Sequence, residues 1–142
     1  MSGNVIYTAE ANVTGGRLLG HGKTSDGELE VDLRPPGEGG GTNPEQLFAV
    51  GYAACFEGAL QAVSRRQKLE PTDITIDSKV SLVTAEERTF TVAVELDVQI
   101  PLITDDAEAV ELVAAAHKVC PYSNATRGNI DVTLTANGQA VE

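Results

Sequence analysis

Positive charge is in short supply in this sequence. Ten lysines and arginines face 21 aspartates and glutamates over 142 residues, a net charge of −11. Nucleic acids and anionic bilayers bind through positive patches, so neither is an expected partner. Histidine is scarce as well, and two of them cannot build a His-rich metal site. The opening stretch, residues 1–16, lacks the basic start and apolar core of a signal peptide. No apolar run approaches the roughly 20 residues of a membrane span. There is no internal repeat and no low-complexity tail. These absences predict a soluble cytoplasmic protein. Cysteine is limited to Cys55 and Cys120. In a reducing compartment such a pair is expected to be free, catalytic or redox-active rather than a static staple.

What is present fits a single domain over residues 1–142. A compact chain of this length buries roughly 68–70% of its unfolded surface and needs no disulfide or metal to fold. The most informative stretch is residues 41–60, GTNPEQLFAVGYAACFEGAL. Asn43 can cap a helix, Pro44 suits its first position and Glu45 its positive dipole end. The helix is expected to run to about Gln67, ending in Arg65, Arg66 and Lys68 before Pro71. Leu47, Phe48, Ala49, Val50, Ala53, Ala54 and Phe56 leave it no polar face, so burial on all sides is expected. Cys55 lies near its middle.

Ahead of this helix, residues 5–13, 18–23 and 28–33 read as strands. Gly15-Gly16 breaks the first, and Ser25-Asp26-Gly27 is a turn. Residues 34–41, RPPGEGGG, hold two prolines and four glycines and predict an irregular loop. Beyond the helix, 74–83 and 89–100 read as an antiparallel hairpin turning at 84–88. Val92, Val94, Leu96, Val98 and Ile100 share one face of it. Thr104 is the expected cap of a second helix, with Asp105, Asp106 and Glu108 in its first turn. Its inward face carries Ala109, Leu112, Val113, Ala116 and Val119, and it stops at Cys120-Pro121. A strand over 129–136 closes the chain. The order β-β-β-α-β-β-α-β predicts α+β, antiparallel sheets packed on two main helices.

The two cysteines differ in setting. Cys120, at a helix C-terminus, faces a dipole that disfavours a thiolate. Cys55 lies in apolar surroundings, which also raise a thiol pKa. Near the unperturbed value of about 8.5, only about 3% of a thiol is ionised at pH 7. A reactive Cys55 therefore needs an Arg or Lys within reach, and composition does not say which of the ten it is. On type alone Cys55 reads as a small core residue of a buried helix.

Four motifs carry a resemblance: TGGR (14–17), SDG (25–27), GTNPEQLFAVGYAACF (41–56) and CPYSNATRGNIDVTL (120–134). In that order they resemble the organic hydroperoxide resistance proteins, a branch of the OsmC-like family, over nearly the whole chain. The resemblance implies a thiol-dependent peroxidase on a small α+β fold, an intertwined homodimer with two active sites at its interface. It implies alkyl and fatty-acid hydroperoxides as substrates in preference to hydrogen peroxide. No bound cofactor is implied, and recycling would be by dihydrolipoamide or a lipoylated protein. By the same resemblance Cys55 is the peroxidatic cysteine and Cys120 the resolving one. Arg17 is the cation that holds the thiolate, and Glu45 the carboxylate that fixes Arg17.

Glu45 and Cys55 are ten residues apart, about 15 Å along one straight helix and roughly 80° around it. Either the helix bends near Gly51 or Glu45 serves the site of a second subunit. The apolar helix favours the second arrangement. Leu47, Phe48 and Phe56 are core residues on spacing alone, or else the lining of an apolar pocket for an alkyl chain. His117 reads as a helix-surface residue, Arg127 as a closure of the loop after Cys120, and Glu108 and Glu111 as a solvated face. The short loop 34–41 and the run LLGHG (18–22) depart from the family pattern and leave substrate size open. Two alternatives stand beside this reading. One is a peroxidase of the sister OsmC branch. The other is a non-catalytic sensor or ligand-binding domain on the same fold.

Overall fold

A computed structural model describes residues 3–142. Residues 1 and 2, part of the stretch read above for signal-peptide features, lie outside the described residues. The chain divides into two compact units, one ending at Leu47 and one spanning Phe48–Glu142. The division falls just after the first turn of helix α1 (Pro44–Arg66).

In the first unit β1 (Ala11–Thr14), β2 (Gly20–Thr24) and β3 (Glu30–Leu33) form an antiparallel sheet in that order. β1 is shorter than expected. Residues 5–10 lie outside any strand, and Val5, Ile6 and Tyr7 are 84%, 98% and 77% exposed. Their alternating pattern suits a strand, but a strand needs a neighbour for its N–H and C=O groups. No strand pairs with residues 5–9 among the described residues. Between β1 and β2, Gly15 and Gly16 take left-handed conformations, φ 78° and 70°. A Cβ on Gly15 would stand 2.1 Å from the Leu19 carbonyl oxygen, so only glycine allows this turn, on which Arg17 sits. The Pro-Gly loop is irregular as predicted. Its ends are tied by Arg34 N–H to Thr42 O and Thr42 N–H to Asp32 O, at 2.9 and 2.8 Å, which delivers the chain to α1. Asn43 Oδ1 accepts from the Gln46 N–H at 2.8 Å, the expected cap.

In the second unit β4 (Thr75–Thr84) and β5 (Phe90–Gln99) form the expected antiparallel hairpin. Helices α2 (Asp106–Val119) and α3 (Pro121–Thr126) follow, then β6 (Val132–Ala136) and β7 (Gln139–Val141). The cap of α2 is Asp105, not Thr104: its side chain accepts from the Ala107 and Glu108 N–H groups. β6 runs parallel to β5, so this sheet is mixed, because the α2–α3 crossover returns the chain in the same direction. Besides a single 3-10 turn over Glu86–Arg88 in the hairpin loop, two elements depart from the expected order. One is α3. The other is β7, announced by Asn137-Gly138, whose φ values of 48° and 84° make a tight hairpin turn.

The core gathers one face of β5 (Val94, Leu96, Val98, and Ile100 just past its end) with α1 and with Ala109, Leu112, Val113 and Ala116 of α2. α1 is helical throughout, with no break at Gly51. It is not buried on all sides. Tyr52, Phe56, Ala59, Leu60, Val63 and Ser64 face inward, whereas Val50 is 72% exposed and Ala54 and Gly58 also face out. Gln46, Gln61, Arg65 and Arg66 are exposed as well, so the outward side mixes Val50 and small residues with polar ones. By length and composition α1 could also cross a membrane, contrary to the reading of apolar runs. Its inward residues are those of the core just described.

Candidate active site

The two cysteines, 65 positions apart, meet. Cys55 lies on α1. Cys120 sits at the corner where α2 ends and α3 begins, its N–H bonded to Ala116 O at 2.9 Å and its carbonyl accepting from Asn124 N–H at 3.0 Å. The Sγ atoms are 3.7 Å apart and both thiols are free. Cys120 is fully buried and Cys55 half-buried. Pro121 holds the corner: a residue before proline is excluded from helical backbone, and Cys120 adopts φ −60°, ψ 123°.

Burial pushes the Cys55 thiol pKa up, and the neighbouring Cys120 thiol adds to this. A hydrogen bond from the Tyr122 backbone N–H opposes them without prevailing. Within the unit that holds Cys55 no cation counters the burial. Phe48, Tyr52 and Tyr122 form an aromatic cluster, ring centroids 5.6–5.8 Å apart. Gly51 seats the Tyr122 ring: a Cβ there would be 3.4 Å from the Tyr122 hydroxyl. The Tyr52 hydroxyl is buried and bonded to Ser123 Oγ at 2.8 Å and Thr126 Oγ1 at 3.1 Å. Neither Tyr52 nor Ser123 was singled out from sequence. The available signal was a tyrosine inside an apolar helix, whose hydroxyl needs a partner when buried.

Arg17 and Glu45 form an ion pair within the first unit. Arg17 Nη2 alone donates to both carboxylate oxygens, at 2.7 and 2.5 Å. Its Nη1 and Nε have no protein partner among the described residues. The Arg17 side chain is 41% exposed and that of Glu45 18%. An exposed pair of this kind contributes about 0–1 kcal/mol to stability.

Of the candidate pocket residues, Phe48 is half-buried and stacked on Tyr122. Leu47 is half-buried, at the end of the first unit. Phe56 is wholly buried in the core and offers no surface to a ligand in the single chain, because it points from α1 toward α2 and the sheet. His117 is half-buried rather than on the helix surface; burial first and Arg127 second lower its pKa, and its Nδ1 has no partner. Arg127 does close the loop after Cys120, donating to His117 O at 2.8 Å and to Asn124 Oδ1 at 2.6 Å. Among the described residues no group of three or more His, Cys, Asp or Glu side chains could hold a metal ion.

This arrangement has relatives. The family described as OsmC-like protein matches residues 37–135. The organic hydroperoxide resistance protein of Xanthomonas axonopodis pv. citri is 53% identical over 137 residues, 92% of this chain and 94% of that protein. The chain belongs to the organic hydroperoxide resistance branch of the OsmC-like family. Organic hydroperoxide resistance protein OhrB of Bacillus subtilis is 48% identical, covering 91% of this chain and 96% of that one. Among solved structures, a putative organic hydroperoxide resistance protein from Vibrio cholerae, with captopril bound in one of its active sites, is similar at a TM-score of 0.92. It is 41% identical, and 99% of each chain is covered. The OsmC-like match takes in Glu45, Cys55 and Cys120 but starts after Arg17.

Proposed function

We propose that this protein is a thiol peroxidase that reduces organic hydroperoxides to alcohols. The observation that carries this is the approach of the two reduced cysteine sulfurs to 3.7 Å in a chain whose relatives are named for organic hydroperoxide resistance. The Cys55 thiolate attacks the terminal peroxide oxygen, the O–O bond breaks, and the alkoxide leaves with a proton as the alcohol. Cys55 is then a sulfenic acid. Cys120 attacks that sulfur, hydroxide departs as water, and a disulfide forms. A dihydrolipoyl dithiol, the reductant that the resemblance implies, exchanges with it and returns both thiols.

Cys55 needs a cation, because burial alone raises its pKa. Arg17 fits: it is permanently charged, is steadied by Glu45 through one nitrogen, and keeps Nη1 and Nε for a thiolate or a peroxide oxygen. We assign Arg17 and Glu45 to the site of the partner subunit in a homodimer. The exposed side of α1 and the helical distance from Glu45 to Cys55 both support this. Phe48 and Leu47 would meet the alkyl chain, with Phe56 behind them.

Turnover of cumene or tert-butyl hydroperoxide with dihydrolipoamide tests the reading, and hydrogen peroxide should be a poorer substrate. An inactive wild type, or a C55S variant that keeps its activity, would end it. Mixed dimers of C55S and E45A chains test the assignment across subunits. A shared site recovers activity in one of its two copies. A site built from a single chain recovers none beyond that of the parent homodimers.

A further inference from the structure

Helix α3 is six residues long, too short to hold its shape or place alone. Most short helices dock through apolar side chains. This one docks Tyr122 half-exposed against Phe48 and Tyr52, and the two side chains it buries, Ser123 and Thr126, both bond through their hydroxyls to the same phenol, that of Tyr52. The side chains of Tyr52, Ser123 and Thr126 are at least nine-tenths buried. Cys120 is at once the C-cap of α2 and the N-cap of α3, so a shift of α3 against α1 also moves the second sulfur. Tyr52 precedes Cys55 by three residues and therefore shares its face of α1. An apolar contact tolerates sliding, whereas hydrogen bonds confine donor and acceptor to a few tenths of an ångström.

Resting on the reading of Cys55 and Cys120 as the reacting pair, we propose that Tyr52 is a positioning residue for disulfide formation. Its hydroxyl, through Ser123 and Thr126, sets the distance from α1 to α3 and so holds Cys120 Sγ beside Cys55 Sγ. It takes no part in the attack on peroxide. The step it serves is the one in which the Cys120 sulfur bonds to the Cys55 sulfenic sulfur and hydroxide leaves as water. The competing fate of that sulfenic acid is a second peroxide and irreversible sulfinic acid. A tightly held Cys120 therefore protects the enzyme as well as completing the cycle.

The test uses the full chain with Tyr52→Phe, Ser123→Ala and the double variant. Two quantities are read. One is the effective concentration of Cys120 toward Cys55, from the equilibrium of their disulfide with glutathione. The other is the split of Cys55 between disulfide and sulfinic acid after cumene hydroperoxide, by mass spectrometry. Tyr52→Phe should lower the first roughly fivefold and raise the sulfinic share by a similar factor, the rate of sulfenic acid formation being unchanged. Ser123→Ala keeps the Tyr52–Thr126 bond and should shift both about twofold. The double variant leaves fewer buried hydroxyls unpaired. It should regain much of the melting temperature lost in Tyr52→Phe without regaining the effective concentration.

Unchanged values in Tyr52→Phe, or recovery of both quantities along with stability in the double variant, would overturn the proposal. Should Tyr52→Phe not fold, Ser123→Ala decides, and no shift there is again a refutation. The glutathione equilibrium needs no peroxide, so it judges Tyr52 even if the peroxidase reading fails.

Discussion

The two units hold opposite kinds of chemistry. In the first, Arg17 and Glu45 meet on a glycine turn and a helix start, open to water. In the second, Cys55 and Cys120 meet at a corner closed by proline, hydroxyl pairs and an arginine clamp. Water screens the first pair, so its charge does little work until something covers it. Burial handicaps Cys55, since it raises that thiol's pKa. Each lacks what the other has. The thiolate site proposed above would need the permanence of the one and the enclosure of the other, which the proposed homodimer would supply.

The sharpest way to break that comparison is at the sulfurs. Cys55→Ser should remove peroxide turnover altogether. Cys120→Ser should allow peroxide reduction once but leave Cys55 as sulfinic acid under repeated dosing, read by intact mass. If Cys120→Ser cycles with dihydrolipoamide as the wild type does, the closed corner has no role in recycling.

The next effect is electrostatic. Removing a cation from a buried thiol raises its pKa, so the thiolate fraction falls at neutral pH and returns only at higher pH. Arg17→Ala should therefore slow sulfenic acid formation at pH 7 by about 10- to 100-fold, equivalent to one or two pKa units. The loss should narrow as pH rises toward 9 or above. A uniform loss at every pH would mean that Arg17 orients the peroxide rather than ionising the sulfur.

Arg127→Ala should be milder. It frees the last turn of α2 from α3 and leaves His117 O and Asn124 unpaired, near the surface. About 1–2 kcal/mol of stability should go, read by denaturant, with sulfenic acid formation unaffected.

The smallest effect belongs to His21, whose two ring nitrogens face Asp32 Oδ1 at 2.8 Å and Glu30 Oε2 at 2.9 Å. The hydrogen bond to Asp32, then that to Glu30, raises its pKa above 6.5. A raised folded pKa gives stability that is full below the unfolded value and fades as pH climbs through the folded one. Wild type should thus lose a little stability going upward from about pH 6.5, and His21→Asn should be flat across that window. The side chains are half exposed, so the slope should be shallow and weaker still in salt.

Much of this is legible in the sequence. Strand alternation in β5, the cap at Asn43 and the stop before Pro71 are local signals, and the elements follow them. Where reading failed, a partner was missing from view. Residues 5–9 carry a strand pattern with no strand beside them among the described residues. α1 looked buried all round because composition does not say how many faces its own chain can cover. Phe56 could be read from spacing as core or as pocket lining, and its ring is buried in the core. β7 was missed although Asn137-Gly138 announced it.

Residue order settled the reactive groups: which side chains can ionise, carry permanent charge or accept oxygen, and the start and stop of the long helix α1. These follow from interactions a few residues long. It did not settle that two sulfurs 65 positions apart stand within 3.7 Å, or that one phenol anchors a six-residue helix through two hydroxyls. Such distances depend on how separate elements pack, and packing is a sum over contacts remote in the chain that no local pattern encodes.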